Sequence, residues 1–383
     1  MWSSIRLGRI AGIEVGVNWS WLVVFALIVW TLASGIFPST NPGLSKATYI
    51  AMAVVAALCF FLSILLHELG HALQARREGI EIDGITLWLF GGVARFKGPF
   101  RTAGAEFRVA VAGPLVSLAL GVLFVLIALV NGTPSAVDGV VSWLGYINLT
   151  LLAFNLIPAP PLDGGRVLHA ALWRRRGDFA WATRVAAAVG RGFGYLLIAL
   201  GIAMLVFQGS FSGAWLAFLG WFLLNAATAE ARYLLTQQAL SGLRVRDVMT
   251  PDPVVVSPDT TLGEFMDKIM FSRQYTAYPV VDGRRPVGLL PVRCVANVPR
   301  AEWNERRVRD CLVSLDEVPV LRENEDAVDA LAEVSQSPGG HGLVVSNGAL
   351  TGIVSTGDLL RALETRPRRT SASPTPPLRR QAR

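Results

Sequence analysis

His67-Glu68-Leu69-Gly70-His71 sets two imidazoles four residues apart with a carboxylate between them. Residues i and i+4 of a helix share a face, so His67 and His71 can offer ring nitrogens to one metal ion while Glu68 stands beside it as a general base. The group closes a stretch free of charge, where such residues are costly to place and functional by default. The competing reading is a pair of core or interfacial histidines. A hydrolytic zinc takes three protein ligands and leaves the fourth position to water, so a third ligand has to come from elsewhere. Asp163 is the candidate, in Asn155-Leu-Ile-Pro-Ala-Pro-Pro-Leu-Asp-Gly-Gly165. Pro158, Pro160 and Pro161 cannot continue a regular helix, and Gly164 and Gly165 permit a tight turn that lets Asp163 face a metal. Taken alone, Asp163 is equally a helix cap after a proline break. The chemistry expected of the set is zinc-assisted hydrolysis by water that Glu68 deprotonates. His169 is expected to pack or to support a ligand, and Arg166 to anchor at the interface.

The elements that must position these residues are apolar. Apolar residues make up 52% of the 383 and charged residues 16%, against roughly 25% charged in soluble proteins. No Asp, Glu, Lys or Arg occurs in 15–45, 47–67, 109–137, 139–162 or 192–229. About 20 helical residues cross a hydrocarbon core. The first four windows hold one span each, and the fifth breaks at Gln208-Gly-Ser-Phe-Ser-Gly213 into two. Six spans follow, near 18–37, 47–71, 108–131, 139–158, 192–208 and 213–231, within a membrane domain over 1–232. The first is too long for a signal peptide and is expected to be retained. Arg76, Arg77, Arg95, Lys97, Arg101 and Arg108 lie between spans two and three; Arg166, Arg174, Arg175, Arg176, Arg184 and Arg191 lie between four and five. The opposite connections carry only Lys46 and Asp138. This bias places both termini in the cytoplasm of a cell with a multi-pass protein in its membrane. It accounts for most of the +7 net charge, and no basic patch interleaved with aromatics points to nucleic acid. Arg outnumbers Lys by 32 to 3, which suggests a high-GC bacterial genome.

Residues 1–17 alternate apolar with small or polar side chains, and 80–97 are β-branched and aromatic with glycine breaks. The first suits a short strand or hairpin, the second a small sheet beside the helices. Backbone of that kind survives at membrane depth only against protein or a water-filled cavity. From about Gly242 the composition turns soluble and a weak repeat appears. Val245-Arg-Asp-Val-Met recurs as Val308-Arg-Asp-Cys-Leu 63 residues later, and Gly288-Leu-Leu as Gly352-Ile-Val 64 residues later. Each unit, 245–299 and 306–364, is too small for a stable core alone and is expected to pack with the other as an α/β pair. The tail, 365–383, has six Arg, four Pro and no acid; it is expected to be disordered and within reach of anionic head groups. Cys59, Cys294 and Cys311 form no metal or redox spacing.

The two motifs carry a resemblance. His67-Glu68-x-x-His71 in the second span, Ala112-Gly113-Pro114 opening the third, and Asn155-x-x-Pro158-x-Pro160-x-x-Asp163-Gly164 after the fourth resemble the site-2 protease family of intramembrane zinc metalloproteases, across residues 1–230. The resemblance implies that His67, His71 and Asp163 bind one zinc ion, that Glu68 activates water, and that Asn155 holds the substrate backbone or the developing oxyanion. It implies a substrate that is itself a single-span membrane protein, such as an anti-sigma factor or membrane-held regulator. The strand region 80–97 is expected to receive that segment as an added strand. The repeats resemble a tandem CBS-domain pair, which implies pairing of two chains and an adenine nucleotide whose ribose meets Ser355 and Asp358. The first repeat departs from that pattern, with Pro291 and Cys294 at those places, so one nucleotide site is expected to be lost. A transporter or non-catalytic receptor with the same repeats would share the spans. Neither needs a metal-binding helix paired with an Asp after a broken span.

Overall fold

A computed structural model describes residues 4–88, 91–97, 100–130, 135–270, 275–337 and 339–365. The chain divides into two units, Met1–Leu235 and Thr236–Arg383. The expected basic tail lies beyond Thr365, outside the described residues.

The first unit opens with β1 (Ser4–Ile10) and β2 (Ile13–Asn18), an antiparallel hairpin. Its turn, Ala11-Gly12, has both residues left-handed, the conformation that a two-residue hairpin needs. α1 (Ser20–Thr31) runs through a wider turn at Leu32–Ile36 into α2 (Phe37–Thr40). There follow α3 (Lys46–Arg77), β3 (Glu81–Trp88), β4 (Gly91–Lys97), α4 (Ala103–Ala128), α5 (Ser135–Asn155), α6 (Asp163–Arg176), α7 (Phe179–Gln208) and α8 (Ser212–Leu240). Among the described residues, six helices are long and apolar enough to cross a bilayer: α1 with α2, then α3, α4, α5, α7 and α8. The protein is therefore a multi-pass membrane protein with a small sheet beside its helices.

That sheet is one body where two separate pieces are expected. The hairpin and the 81–97 strands join in the order β1-β2-β3-β4. β2 and β3 pair in parallel, with Val15 opposite Ile85, and the outer pairs are antiparallel. Ile13 and Ile85 pack on Ala72 of α3, while Val17 and Leu87 pack on Phe61 and Ile64. The sheet thus lies along the C-terminal half of α3, where His67 and His71 sit.

A second difference concerns 163–176, which folds as α6. Gly164 and Gly165 lie inside its first turn, and neither has a positive φ. Their role is close approach. A Cβ at Gly164 would strike the carbonyl oxygens of Leu156 and Ile157, and one at Gly165 would strike Pro160 N. Only with bare backbone can the helix start against the proline loop.

The second unit is a CBS pair whose repeats exchange strands. α9 (Val245–Val248), β5 (Thr250–Pro251), α10 (Leu262–Glu264), β6 (Ala277–Asp282), β7 (Arg285–Pro291) and α11 (Val292–Ala296) form the first repeat. β8 (Val313–Ser314), β9 (Val320–Leu321), α12 (Ala327–Gln336), β10 (His341–Ser346), β11 (Ala349–Ser355) and α13 (Thr356–Thr365) belong to the second. The sheets run β5-β11-β10-β9 and β6-β7-β8, so each repeat lends its opening strand to the other. The repeated pentapeptides behave alike: Asp247 Oδ2 accepts from Arg244 N at 2.8 Å, and Asp310 Oδ2 from Arg307 N at 2.9 Å. The exchange extends to the cores. Val245 packs with Leu321 and Val344 of the second repeat, and Val308 with Phe265 and Tyr278 of the first.

This exchange has a measurable consequence. Val308→Ala removes a fully buried side chain and should cost about 2 kcal/mol. Hydrogen exchange should rise first in β6 and β7, the other repeat's strands, and less in β9 and β10.

Candidate metal centre

His67 and His71 face inward from α3, 4% and 7% exposed. Their rings are aimed by α4. His71 Nδ1 donates to the Val109 carbonyl at 2.7 Å, and His67 Nδ1 meets Ser117 Oγ at 2.8 Å. A carbonyl only accepts, so Nδ1 of His71 carries a proton, and in the neutral imidazole Nε2 is then the nitrogen able to bind a metal. Between those two contacts stands Gly113. A Cβ there would strike His71 Nε2 and lie 2.7 Å from His67 Nε2. The helix can pass this close only because the position is glycine.

α6 delivers Asp163 as its first residue, with Leu162 at the N-cap; a carboxylate at this end suits the helix dipole. Asp163 Oδ2 lies 3.1 Å from His67 Nε2 and 3.2 Å from His71 Nε2, and the two Nε2 atoms are 3.2 Å apart. Three acceptor atoms therefore converge on one point. Tetrahedral zinc with bonds of about 2.0–2.1 Å wants ligand atoms about 3.3 Å apart. The donor set, two imidazole nitrogens and one carboxylate oxygen, fits that ion in number, type and spacing, and it is the cluster suited to a metal among the described residues.

Glu68 follows His67 on α3 and meets the sheet. A Cβ at Gly92 of β4 would strike Glu68 Cγ and lie 3.0 Å from Oε1, so the edge strand runs directly against this carboxylate. Asn155 ends α5, half-buried, and makes no side-chain hydrogen bond to another described residue. His169 stands apart from the metal cluster, bonded to Glu106 and Thr183. Arg166 is paired with Glu230 of α8 at 3.3 Å, which replaces the expected role as an interfacial anchor. In the second unit Ser355 and Asp358 do meet, as partners of each other. Ser355 Oγ donates to Asp358 Oδ2 at 2.6 Å, and Asp358 N donates to Ser355 Oγ at 3.1 Å.

Comparisons with known proteins agree with this architecture. The model of peptidase family M50 matches residues 55–138 and 131–200, and that of the CBS domain matches 245–298 and 308–365. Rip3 of Mycobacterium tuberculosis, whose name gives it as a zinc metalloprotease, is 39% identical over 369 residues, spanning 95% of this chain and 94% of its own. The chain belongs to peptidase family M50. The zinc metalloprotease MJ0392 of Methanocaldococcus jannaschii is 31% identical over 366 residues, 94% of this chain and 96% of its own. A solved site-2 protease from the same organism is 30% identical and covers 60% of this chain and 96% of itself, with a TM-score of 0.40. The M50 chain is thus a zinc metallopeptidase built into the membrane.

The groups that orient His67 and His71 carry no label in the sequence. Val109 acts through its carbonyl, which no side chain advertises, and Ser117 is one hydroxyl in an apolar span. Gly113 is visible in Ala112-Gly113-Pro114, but its reason is the touching imidazoles. Gly113→Ala should push His67 and His71 apart and lower zinc affinity by about 10–100-fold, read by metal analysis of the purified protein after dialysis against a weak chelator.

Proposed function

We propose that this M50 chain is an endopeptidase that cuts the transmembrane segment of a single-span membrane protein, with His67, His71 and Asp163 holding its zinc. The observation that carries the reading is the triangle of acceptor atoms 3.1–3.2 Å apart on helices that join a bilayer-crossing bundle. Bound there, zinc supplies a Lewis acid for the scissile carbonyl and lowers the pKa of a water. Glu68 takes the proton from the attacking water and returns it to the leaving amide nitrogen. Asn155 donates its amide N–H to the substrate backbone or the developing oxyanion, a contribution often worth about 3 kcal/mol.

A helical substrate hides its carbonyls in hydrogen bonds, so it must be opened first. β4 has one hydrogen-bonded neighbour, β3, and Gly92 against Glu68. An extended segment added to its open edge runs past the general base. The basic loops favour cytoplasmic termini, and the substrate class that the family suggests is a membrane-held regulator such as an anti-sigma factor. For the CBS pair, the reading is an adenine nucleotide at Ser355 and Asp358 that modulates cleavage, with two chains paired through these repeats. One observation favours a second reading for that site. Both carboxylate oxygens of Asp358 are engaged, Oδ2 by Ser355 and Oδ1 by Arg361 at 2.7 Å, as in a helix cap with no ligand role.

Liposomes containing the protein and a candidate single-span substrate test the core of the proposal. Wild type should cleave; Glu68→Gln should retain zinc and lose at least about 100-fold in rate. Equal cleavage by both removes Glu68 from the chemistry. Proline at alternate β4 positions tests the added strand: one register should lower cleavage of the helical substrate by taking away outward N–H groups, and unchanged cleavage across both registers ends that idea. Calorimetry of the full chain with ATP and with AMP separates the two readings of Ser355 and Asp358. Heat that disappears in Asp358→Ala supports the nucleotide, and no heat with either leaves the cap.

A further inference from the structure

We infer that Glu106 and His169 are a positioning pair that holds Asp163 in register with His67 and His71. The inference rests on the reading of those three residues as zinc ligands.

Glu106 and His169 are each 3% exposed, and Thr183 is 2% exposed. His169 Nδ1 donates to both Glu106 oxygens, at 2.9 and 2.8 Å. Its Nε2 meets Thr183 Oγ1 at 3.0 Å, and that hydroxyl donates to the Phe179 carbonyl at 2.9 Å. A hydroxyl has one hydrogen. With it directed at Phe179, Thr183 offers a lone pair to Nε2, so His169 bridges Glu106 of α4 and Thr183 of α7. Burying a carboxylate–imidazole pair is expensive, and well-packed apolar residues often serve stability as well or better. Stability alone is therefore a poor account of it; fixing one arrangement out of several is a better one.

Its place in the fold says which arrangement. Glu106, Val109, Gly113 and Ser117 form one stripe of α4, all buried. The last three touch the imidazoles of His67 and His71. Glu106, at the start of the stripe, instead reaches α6, the helix whose first residue is Asp163. One rigid helix thus aims two ligands by direct contact and fixes the helix of the third through Glu106 and His169. Glu106, His169, Thr183, Arg166 and Glu230 line a cavity of only about 10 Å³, about the size of one water, so the alignment of α6 here depends on these few polar bonds. A slide or roll of α6 by a few tenths of an ångström would open the ligand triangle without unfolding anything.

The test is zinc affinity of the full-length protein in detergent, by competition with a chromogenic chelator, together with the visible spectrum of the Co²⁺-substituted form and the thermal midpoint. Glu106→Gln and His169→Phe should weaken zinc binding by about 10–100-fold and change the Co²⁺ bands. The double variant Glu106→Leu/His169→Phe leaves no unpaired buried charge, so its thermal midpoint should return to that of wild type while zinc affinity stays low. A bolt with no role at the metal would recover both. If single variants do not fold, the double variant carries the test alone. Asp163→Asn serves as the reference. If it leaves zinc affinity unchanged, the ligand reading fails and this inference with it. If it weakens zinc binding while the Glu106 and His169 variants keep wild-type affinity and Co²⁺ spectrum, only the positioning role is overturned.

Discussion

Two imidazole nitrogens and a carboxylate oxygen are held 3.1–3.2 Å apart inside an apolar bundle. Three polar side chains keep one such arrangement only when each is tied from behind. His71 is committed by the Val109 carbonyl to one tautomer, and His67 is held by Ser117. Asp163 opens a helix whose first turn, at Gly164 and Gly165, lies against the proline loop. The fold thus presents three atoms at the spacing that a tetrahedral metal site wants.

Holding helices at such distances in lipid requires small residues more than bulky ones, because side chains gain little by leaving one apolar medium for another. The bundle follows that rule well away from the metal. On α7 and α8, Gly194 and Gly201 face Gly220 and Gly213. A Cβ at Gly194 would lie 2.9 Å from Gly220 O, and one at Gly220 2.6 Å from Gly194 O. Gly121 of α4 is pressed likewise on Leu149 of α5, 2.7 Å from Cδ2. The same device recurs at Gly113 and Gly92, where the approaching groups are the imidazoles of His67 and His71 and the Glu68 carboxylate. Glycine in this chain is therefore read best by what it touches.

The contrast between legible and illegible parts follows from this. His67, Glu68, His71 and Asp163 stand out in the sequence because polar groups in apolar windows have few reasons to exist, and six spans stand out because charge is missing for long enough. The α4 register that aims the ligands does not, since a carbonyl and a glycine carry no chemical label. The parallel pairing of β2 with β3 joins segments some seventy residues apart, beyond the reach of local periodicity. Gly164 and Gly165 suggest a turn by type, yet they serve a helix start packed on backbone. Glu106 and His169 are each unremarkable alone, and only the fold brings them together.

The CBS pair shows the same limit from the other side. Its repeat is visible in sequence, while the strand exchange between the repeats is not, because β5 and β8 are two residues each. The exchange also gives the repeats' divergence a physical meaning. The second repeat keeps a reciprocal cap at Ser355 and Asp358. In the first, Pro291 and Cys294 replace it, and Cys294 turns to Cys311, whose thiol is pushed up to about 11 by burial and by that neighbour. A thiol held so far above neutral pH is a poor nucleophile, so this pair of cysteines fills a core where its counterpart offers polar atoms. Any ligand at the second repeat would act on β11, to which β5 of the first repeat is bonded. Ligand-linked change needs a difference in affinity between two states. In a pair knitted in this way, any such difference would be shared by both repeats, although only the second keeps the Ser355–Asp358 pair.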